Sequence, residues 1–174
     1  RFGIPIYGTV AHSFIEAHED EAEAFIRFAR SQRDNAVFLL DTYDTERAAR
    51  TVVRLVPGLK QEGIQIKAVR LDSGDLAAQA TVVRHILDAA GLSEVQIVAS
   101  GGLDEGSVRA LLDAKAPIDG FGIGTRLAVS ADAPSLDCAY KLQEYAGRPC
   151  YKTSEGKATW PGRKQVYRRH DGSG

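Results

Sequence analysis

The sequence predicts an α/β fold in which successive strand–helix units lay down parallel strands. Helical and strand periodicities alternate at short, regular intervals between residues 20 and 123, the signature of consecutive βα units. In addition, four apolar runs each end in a polar cluster. Val37-Phe38-Leu39-Leu40 precedes Asp41-Thr42-Tyr43-Asp44, and Ala68-Val69-Arg70-Leu71 precedes Asp72-Ser73-Gly74-Asp75. Ile97-Val98-Ala99 precedes Ser100-Gly101-Gly102, and Phe121-Gly122-Ile123 precedes Gly124-Thr125-Arg126. Right-handed crossovers make such strands parallel, in a barrel or an open sheet. Their polar ends then meet at one carboxyl-terminal mouth. Carboxylates, hydroxyls and glycine turns gathered there suit a phosphorylated sugar better than an apolar ligand.

Taken in order, Gly8-Thr9-Val10-Ala11-His12-Ser13 reads as a loop by its glycine and hydroxyls. From Asp20 to Arg30, Ala22, Phe25, Ile26 and Ala29 form the stripe of an amphipathic helix, with Glu19, Asp20, Glu21 and Glu23 at its positive end. A strand at 37–40 leads to a helix near 45–56 with Ala49, Val52, Val53 and Val56 on one face, stopped by Pro57-Gly58. A strand at 64–71 leads to a third helix with Leu76, Ala80, Val83 and Leu87 aligned and Gly91 as its stop. A strand at 95–99 leads to a fourth helix capped by Asp104, with Val108, Leu111 and Leu112 inward, and a strand at 119–123 follows. Beyond about residue 134 the pattern changes. Leu136 to Tyr145 is mixed, Gly147-Arg148-Pro149 reads as a turn, and Tyr151 and Val166-Tyr167 as short β-like pieces. The expected organisation is a βα-repeat portion carrying the site over 1–134 and a small β-rich appendage over 135–174.

The 174 residues are 44% hydrophobic and 26% charged, ordinary globular values able to bury a core. The chain opens at Arg1, contains no Met and closes on Asp171-Gly172-Ser173-Gly174, so it reads as part of a longer protein. A formal net charge of -1 offers no reason to expect a nucleic acid or acidic membrane partner. No run of about 18 apolar residues is available to span a bilayer. Seven Lys and Arg lie from Arg148 to Arg169 against the single acid Glu155. That stretch is either a solvated turn region or an attractor of a phosphate-rich ligand. Cys138 and Cys150 stand alone, which argues against a metal cage or disulfide scaffold and fits a reducing compartment.

Arg70-Leu71-Asp72-Ser73-Gly74-Asp75 is the richest motif. Arg70 and Asp72 point to one face, where a guanidinium offers paired donors to a carboxylate or phosphate. Asp72 and Asp75 could accept from ribose hydroxyls or hold Mg²⁺. The structural alternative is that Arg70 and Asp72 pair with each other while Ser73 or Asp75 caps a helix. Ser100-Gly101-Gly102 and Gly122-Ile123-Gly124-Thr125 are glycine turns after neighbouring strands, where backbone N–H groups can approach an anion. His12 is the one histidine in a loop near the expected mouth, where it could move a proton or meet phosphate or simply be solvated; His18, His85 and His170 lie elsewhere. Asp41 could reach the pocket, whereas Asp44 has a good alternative as a helix cap. No Walker-type phosphate loop, dinucleotide fingerprint or nucleophile elbow is present.

These motifs in this order, with Lys152-Thr153-Ser154-Glu155-Gly156-Lys157 and Pro161-Gly162-Arg163-Lys164-Gln165-Val166, resemble the nicotinate phosphoribosyltransferase family across nearly the whole chain. The resemblance implies an irregular α/β barrel of the type II phosphoribosyltransferases. It also implies a reaction in which nicotinate and phosphoribosyl pyrophosphate give nicotinate mononucleotide and pyrophosphate, in NAD biosynthesis. ATP hydrolysis would be coupled through phosphorylation of His12. Thr9 and Arg70 would contact nicotinate, and Thr125 the phosphoribosyl group. Turn chemistry places Ser100, Gly101, Gly102, Gly122 and Gly124 for phosphate. Asp72, with Asp41 or Asp75, would stabilise the cationic ribose ring, while Mg²⁺ and basic groups would meet the leaving pyrophosphate. Nicotinate attacks through an unprotonated ring nitrogen, so no strong base is required. The resemblance further implies a cytoplasmic homodimer with shared sites. In it an aromatic clamp for the pyridine ring comes from an amino-terminal segment not contained in these residues.

Three rivals stand beside this expectation. Nicotinamide phosphoribosyltransferase runs the same chemistry on a neutral ring. A non-catalytic βα segment would serve binding or assembly. An unrelated phosphate-binding barrel, such as an isomerase or aldolase, is the third; the lack of a Lys at any of the four polar tips counts against an aldolase.

Overall fold

Side-chain carboxylates start all four longer helices. In the computed structural model, which describes residues 2–3, 8–130, 132, 136, 138–162 and 164–168, Asp20 accepts from Glu23 N at 2.8 Å to open α2 (Glu21–Ser31). Asp44 accepts from Arg47 N at 2.7 Å at α3 (Thr45–Gln61), and Asp75 from Ala78 N at 3.0 Å at α4 (Leu76–Ala89). Asp104 and Ser107 close a reciprocal capping box on α5 (Glu105–Asp113). Each cap satisfies an N–H that the helix itself leaves free.

Between the helices run β1 (Ala36–Leu39), β2 (Ile66–Leu71), β3 (Gln96–Ala99) and β4 (Gly120–Phe121). They form one parallel sheet in chain order. Phe38, Val69 and Ile97 are register partners, and so are Leu39, Arg70 and Val98. Helix α2 rests on β1 and α4 on β2 and β3, while α2, α3 and α4 neighbour one another in sequence order. The helices therefore share one face. There Phe38, Val69, Leu71, Ile97 and Ala99 are all 0% exposed, and the Phe25 ring stacks on Phe38 at 4.9 Å. Each such large apolar side chain contributes about 1.5–3 kcal/mol through its removal from water. Among the described residues the sheet has four strands, and its outer strands do not pair with each other.

Several expectations are corrected. Helix α3 runs through Pro57 to Gln61 instead of stopping there. Leu59 extends the buried stripe of Val52 and Val56, and that burial outweighs the missing N–H. The chain turns instead at Gly63, whose φ is +71°. On α5, Val108 and Leu111 are only half-buried and Leu112 is 57% exposed, and no residue of this helix is fully buried. The strand expected at 119–123 is paired only at Gly120–Phe121. The Gly8–Ser13 stretch is not all loop, since α1 (His12–Glu16) begins within it. A four-residue helix, α6 (Thr125–Ala128), follows β4.

The expected antiparallel appendage is present as β5 (Glu144–Tyr145) paired with β6 (Arg148–Pro149). Its turn is Ala146-Gly147, with φ of 50° and 75°, the left-handed pair that a two-residue hairpin uses. Arg148 and Pro149 are thus strand, not turn, and Tyr151 and Val166-Tyr167 lie outside any strand. The expected boundary at 134/135, Ile4-Pro5-Ile6-Tyr7, Arg163, Arg169, His170 and Asp171-Gly172-Ser173-Gly174 fall outside the described residues.

Candidate active site

The carboxyl ends of β2 and β3 bring Arg70, Asp72 and Ser100 together. Arg70 Nη2 donates to Asp72 Oδ1 at 2.8 Å and Arg70 Nε to Ser100 Oγ at 2.8 Å. Ser100 Oγ lies 2.6 Å from Asp72 Oδ1, and Arg70 Nη1 reaches Val10 O at 3.4 Å. That last bond ties the segment before α1 to the sheet. Ile15 is buried and Phe14 meets Phe28 edge-on at 6.2 Å, so α1 is held where its first residue overlooks the mouth. His12 Nε2 stands 3.8 Å from Asp72 Oδ2, and His12 Nδ1 lies 3.1 Å from Thr42 Oγ1.

The third contributor is the appendage. Lys157 Nζ donates to Asp72 Oδ2 at 3.1 Å and also to the Asp72 carbonyl. Thr153 N donates to Thr42 O at 3.1 Å, and Thr153 Oγ1 to Tyr43 O at 3.1 Å. Lys152 is 1% exposed and its Nζ has no partner among the described residues. Burial pushes its ammonium below the ordinary value, while Asp41 and Asp72 pull the other way. The reading of this stretch as a solvated turn is therefore wrong at Lys152, which is enclosed, and at Lys157, which grips Asp72. Sequence reasoning did not place either lysine in the site. The local excess of basic residues was the available signal.

Burial tends to raise the Asp72 carboxyl, but His12, Ser100 and Arg70 outweigh it and hold it well below the usual carboxylate range. Asp41, 2% exposed, accepts from Ser73 Oγ through Oδ2, while its Oδ1 is buried without a hydrogen-bond partner among the described residues. His12, Asp41 and Asp72 each offer one ligand atom within 4.8 Å of the others. The spare buried oxygen of Asp41 is of the kind Mg²⁺ takes, an ion that prefers oxygen ligands and completes its shell with water or phosphate, while both Asp72 oxygens already accept from Arg70, Ser100 or Lys157.

The remaining expected residues fall in different places. Thr9 donates to Val37 O at 2.9 Å. With Gly8, Val37, Arg70, Ser100 and Gly122 it lines a cavity of about 500 Å³ on the helix-free face of the sheet. Gly101 has φ +98°, and a Cβ there would come within 2.0 Å of Asp72 O, so glycine is what lets this turn press against Asp72. Gly102 is exposed with open space around it. Asp75 is exposed and caps α4. That is the structural alternative. Gly124 precedes α6 and Thr125 begins it; both are exposed. Neither takes part in the hydrogen bonds of the cluster or lines the cavity. The structure brings His12, Arg70, Asp72, Asp41 and Ser100 together, and Thr125 makes none of these contacts.

No protein-family model matches the chain. Nicotinate phosphoribosyltransferase pncB2 of Mycobacterium tuberculosis is 50% identical over 169 residues, covering 97% of this chain and 36% of that protein. Nicotinate phosphoribosyltransferase of Bacillus subtilis is 40% identical over 174 residues, covering 97% of this chain and 35% of its own length. The chain thus spans about a third of the length of these curated relatives. The crystal structure of a nicotinate phosphoribosyltransferase from Vibrio cholerae superposes with a TM-score of 0.73 at 22% identity, covering 91% of this chain and 42% of that one. That likeness is one of fold. A nicotinate-nucleotide pyrophosphorylase from Pyrococcus furiosus gives a TM-score of 0.61 at 30% identity, covering 95% and 41%. Over this matched segment, the chain is a homologue of the nicotinate phosphoribosyltransferases.

Proposed function

We propose that this chain supplies the phosphate-handling and ribose-handling side of a nicotinate phosphoribosyltransferase. The reaction joins nicotinate to phosphoribosyl pyrophosphate, gives nicotinate mononucleotide and pyrophosphate, and is coupled to ATP hydrolysis in NAD biosynthesis. The observation that carries the reading is the cluster of His12, Arg70, Asp72, Ser100 and Lys157, set in a segment 50% identical to a protein of that name. Displacement of pyrophosphate at the anomeric carbon builds positive charge on the ribose ring and negative charge on the leaving group. Asp72, held ionised, answers the first, and Lys157 with Lys152 answers the second.

Arg70 lines the cavity beside Thr9, where its guanidinium suits the nicotinate carboxylate. Gly101, Gly102, Gly122, Gly124 and Thr125 are assigned to phosphate and phosphoribosyl groups on turn chemistry and family likeness. Asp41 and Asp72 would hold Mg²⁺. When bound, the ion supplies charge neutralisation to phosphate oxygens. Four consecutive strands with their helices on one face support a barrel arc whose other strands lie outside this chain, with 1–134 as that arc and 135–174 as the appendage. A cytoplasmic homodimer with shared sites completes the reading. Among the described residues no helix is long and apolar enough to cross a membrane.

The test is a coupled assay of pyrophosphate release by the complete protein, with nicotinate or nicotinamide and with or without ATP. Turnover of nicotinate, stimulated by ATP and losing that stimulation in His12→Ala, is the expected result. Preference for nicotinamide would favour the rival substrate, and absence of phosphoribosyl pyrophosphate binding would defeat the enzymatic reading.

A further inference from the structure

We propose that Thr42 is a positioning residue that holds the His12 ring as the tautomer protonated at Nδ1, leaving the Nε2 lone pair as the atom that takes the phosphoryl group. The proposal rests on the ATP-coupled reading above. Thr42 is 0% exposed at the carboxyl end of β1, and its carbonyl accepts from Thr153 N at 3.1 Å. Its backbone is thus held by the appendage at the end of the strand segment, which sets where its hydroxyl lies. The hydroxyl oxygen lies 3.1 Å from His12 Nδ1, within hydrogen-bond reach.

The other ring nitrogen is in the opposite situation. His12 Nε2 is buried and without a hydrogen-bond partner among the described residues. Its nearest carboxylate oxygen, Asp72 Oδ2, is 3.8 Å away and already accepts from Lys157. A proton on Nε2 would face Asp72 Oδ2 only at 3.8 Å, too far for a good hydrogen bond, whereas a proton on Nδ1 is met by Thr42 at 3.1 Å. The partner of one imidazole nitrogen decides which nitrogen reacts, and here that partner leaves Nε2 free.

In the step this implies, the Nε2 lone pair forms the N–P bond to the γ-phosphorus of ATP. The bond from that phosphorus to the β,γ-bridging oxygen breaks, and its electron pair departs on ADP. The Nδ1 proton stays on the ring, and Thr42 Oγ1 accepts it while the ring carries positive charge. A hydroxyl suits this task because, unlike a carboxylate, it does not take the proton away.

The experiment uses the complete protein labelled with ¹⁵N-histidine, with His12 assigned by comparison with His12→Gln. The wild type and Thr42→Ser are expected to show a protonated Nδ1 and an unprotonated Nε2, and Thr42→Val a mixture of tautomers. In parallel, acid-labile transfer from γ-labelled ATP to His12 should slow about tenfold or more in Thr42→Val and by less than about threefold in Thr42→Ser. An unchanged ring spectrum in Thr42→Val, an unchanged transfer rate, or phosphate found on Nδ1 overturns the proposal. If the wild type places no phosphate on His12, the ATP-coupled reading fails, and the ring spectrum alone decides the role of Thr42.

Discussion

The two faces of the parallel sheet differ sharply. Toward the helices, Phe38, Val69, Leu71 and Ile97 are wholly enclosed in the apolar core. On the other face Val37, Arg70, Val98 and Ser100 line a cavity of about 500 Å³. One face is continuous apolar contact. The other carries polar groups that are paired with one another yet still border open space. The difference teaches that the same strands hold the fold with odd-numbered residues in β2 and carry the chemistry with even-numbered ones.

The comparison is broken most severely from the helix side. Phe38→Ala removes a ring stacked on Phe25 and met edge-on by Phe28, and should cost about 3–5 kcal/mol in urea denaturation. Gly101→Ala attacks the boundary between fold and site. Its Cβ would meet Asp72 O at 2.0 Å with φ at +98°, so a loss on the order of 1–3 kcal/mol is expected. Pyrophosphate release should fall with it, because Asp72 must move.

A third test uses pH. Burial raises the Glu21 carboxyl from 4.5 to about 7, opposed by Arg47. Between those values the folded state keeps a proton that the unfolded chain gives up. Its contribution is therefore full at low pH and is lost as pH rises toward 7, by about 1.4 kcal/mol per unit at most. Asp72 has the opposite sign: its contribution is present above the ordinary value of 3.8 and lost as pH falls below it. Stability measured at pH 5 and 7.5 should fall across that interval in the wild type and fall less in Glu21→Gln, where Glu16, also raised by burial, keeps a slope of the same sign. Asp44→Ala, which removes the cap on Arg47 N, should cost about 1 kcal/mol. The smallest effect is Leu112→Lys on the exposed side of α5, expected within about 0.5 kcal/mol of wild type. A large loss there would mean that α5 is as deeply packed as α2.

Most of the fold was legible because its signals are local. Asp44 and Asp104 cap helices where the pattern placed them, and the stripe Ala80, Val83 and Leu87 is buried as its spacing required. Where a local signal met a tertiary one, the tertiary one prevailed. Pro57 failed to stop α3 because Leu59 had a core to enter. In the site, Arg70, Asp72 and Ser100 could be found because strand ends carry them, and His12 because it stands in a stretch rich in glycine and hydroxyls. Lys152, Lys157 and Thr42 could not. The two lysines reach the mouth from a segment about 80 residues beyond Asp72, and Thr42 was hidden beside the more conspicuous Asp41.

By itself, the order of residues determined the alternation of strands and helices, the caps and the polar strand ends, since each depends on neighbours within a few positions. Only the folded chain decided which of those ends meet, that Asp75 serves as a helix cap, and that two lysines of the appendage come to the cluster. Charges far apart in sequence interact only when packing brings them within a few ångströms, and the energy for that comes from the helix-facing core.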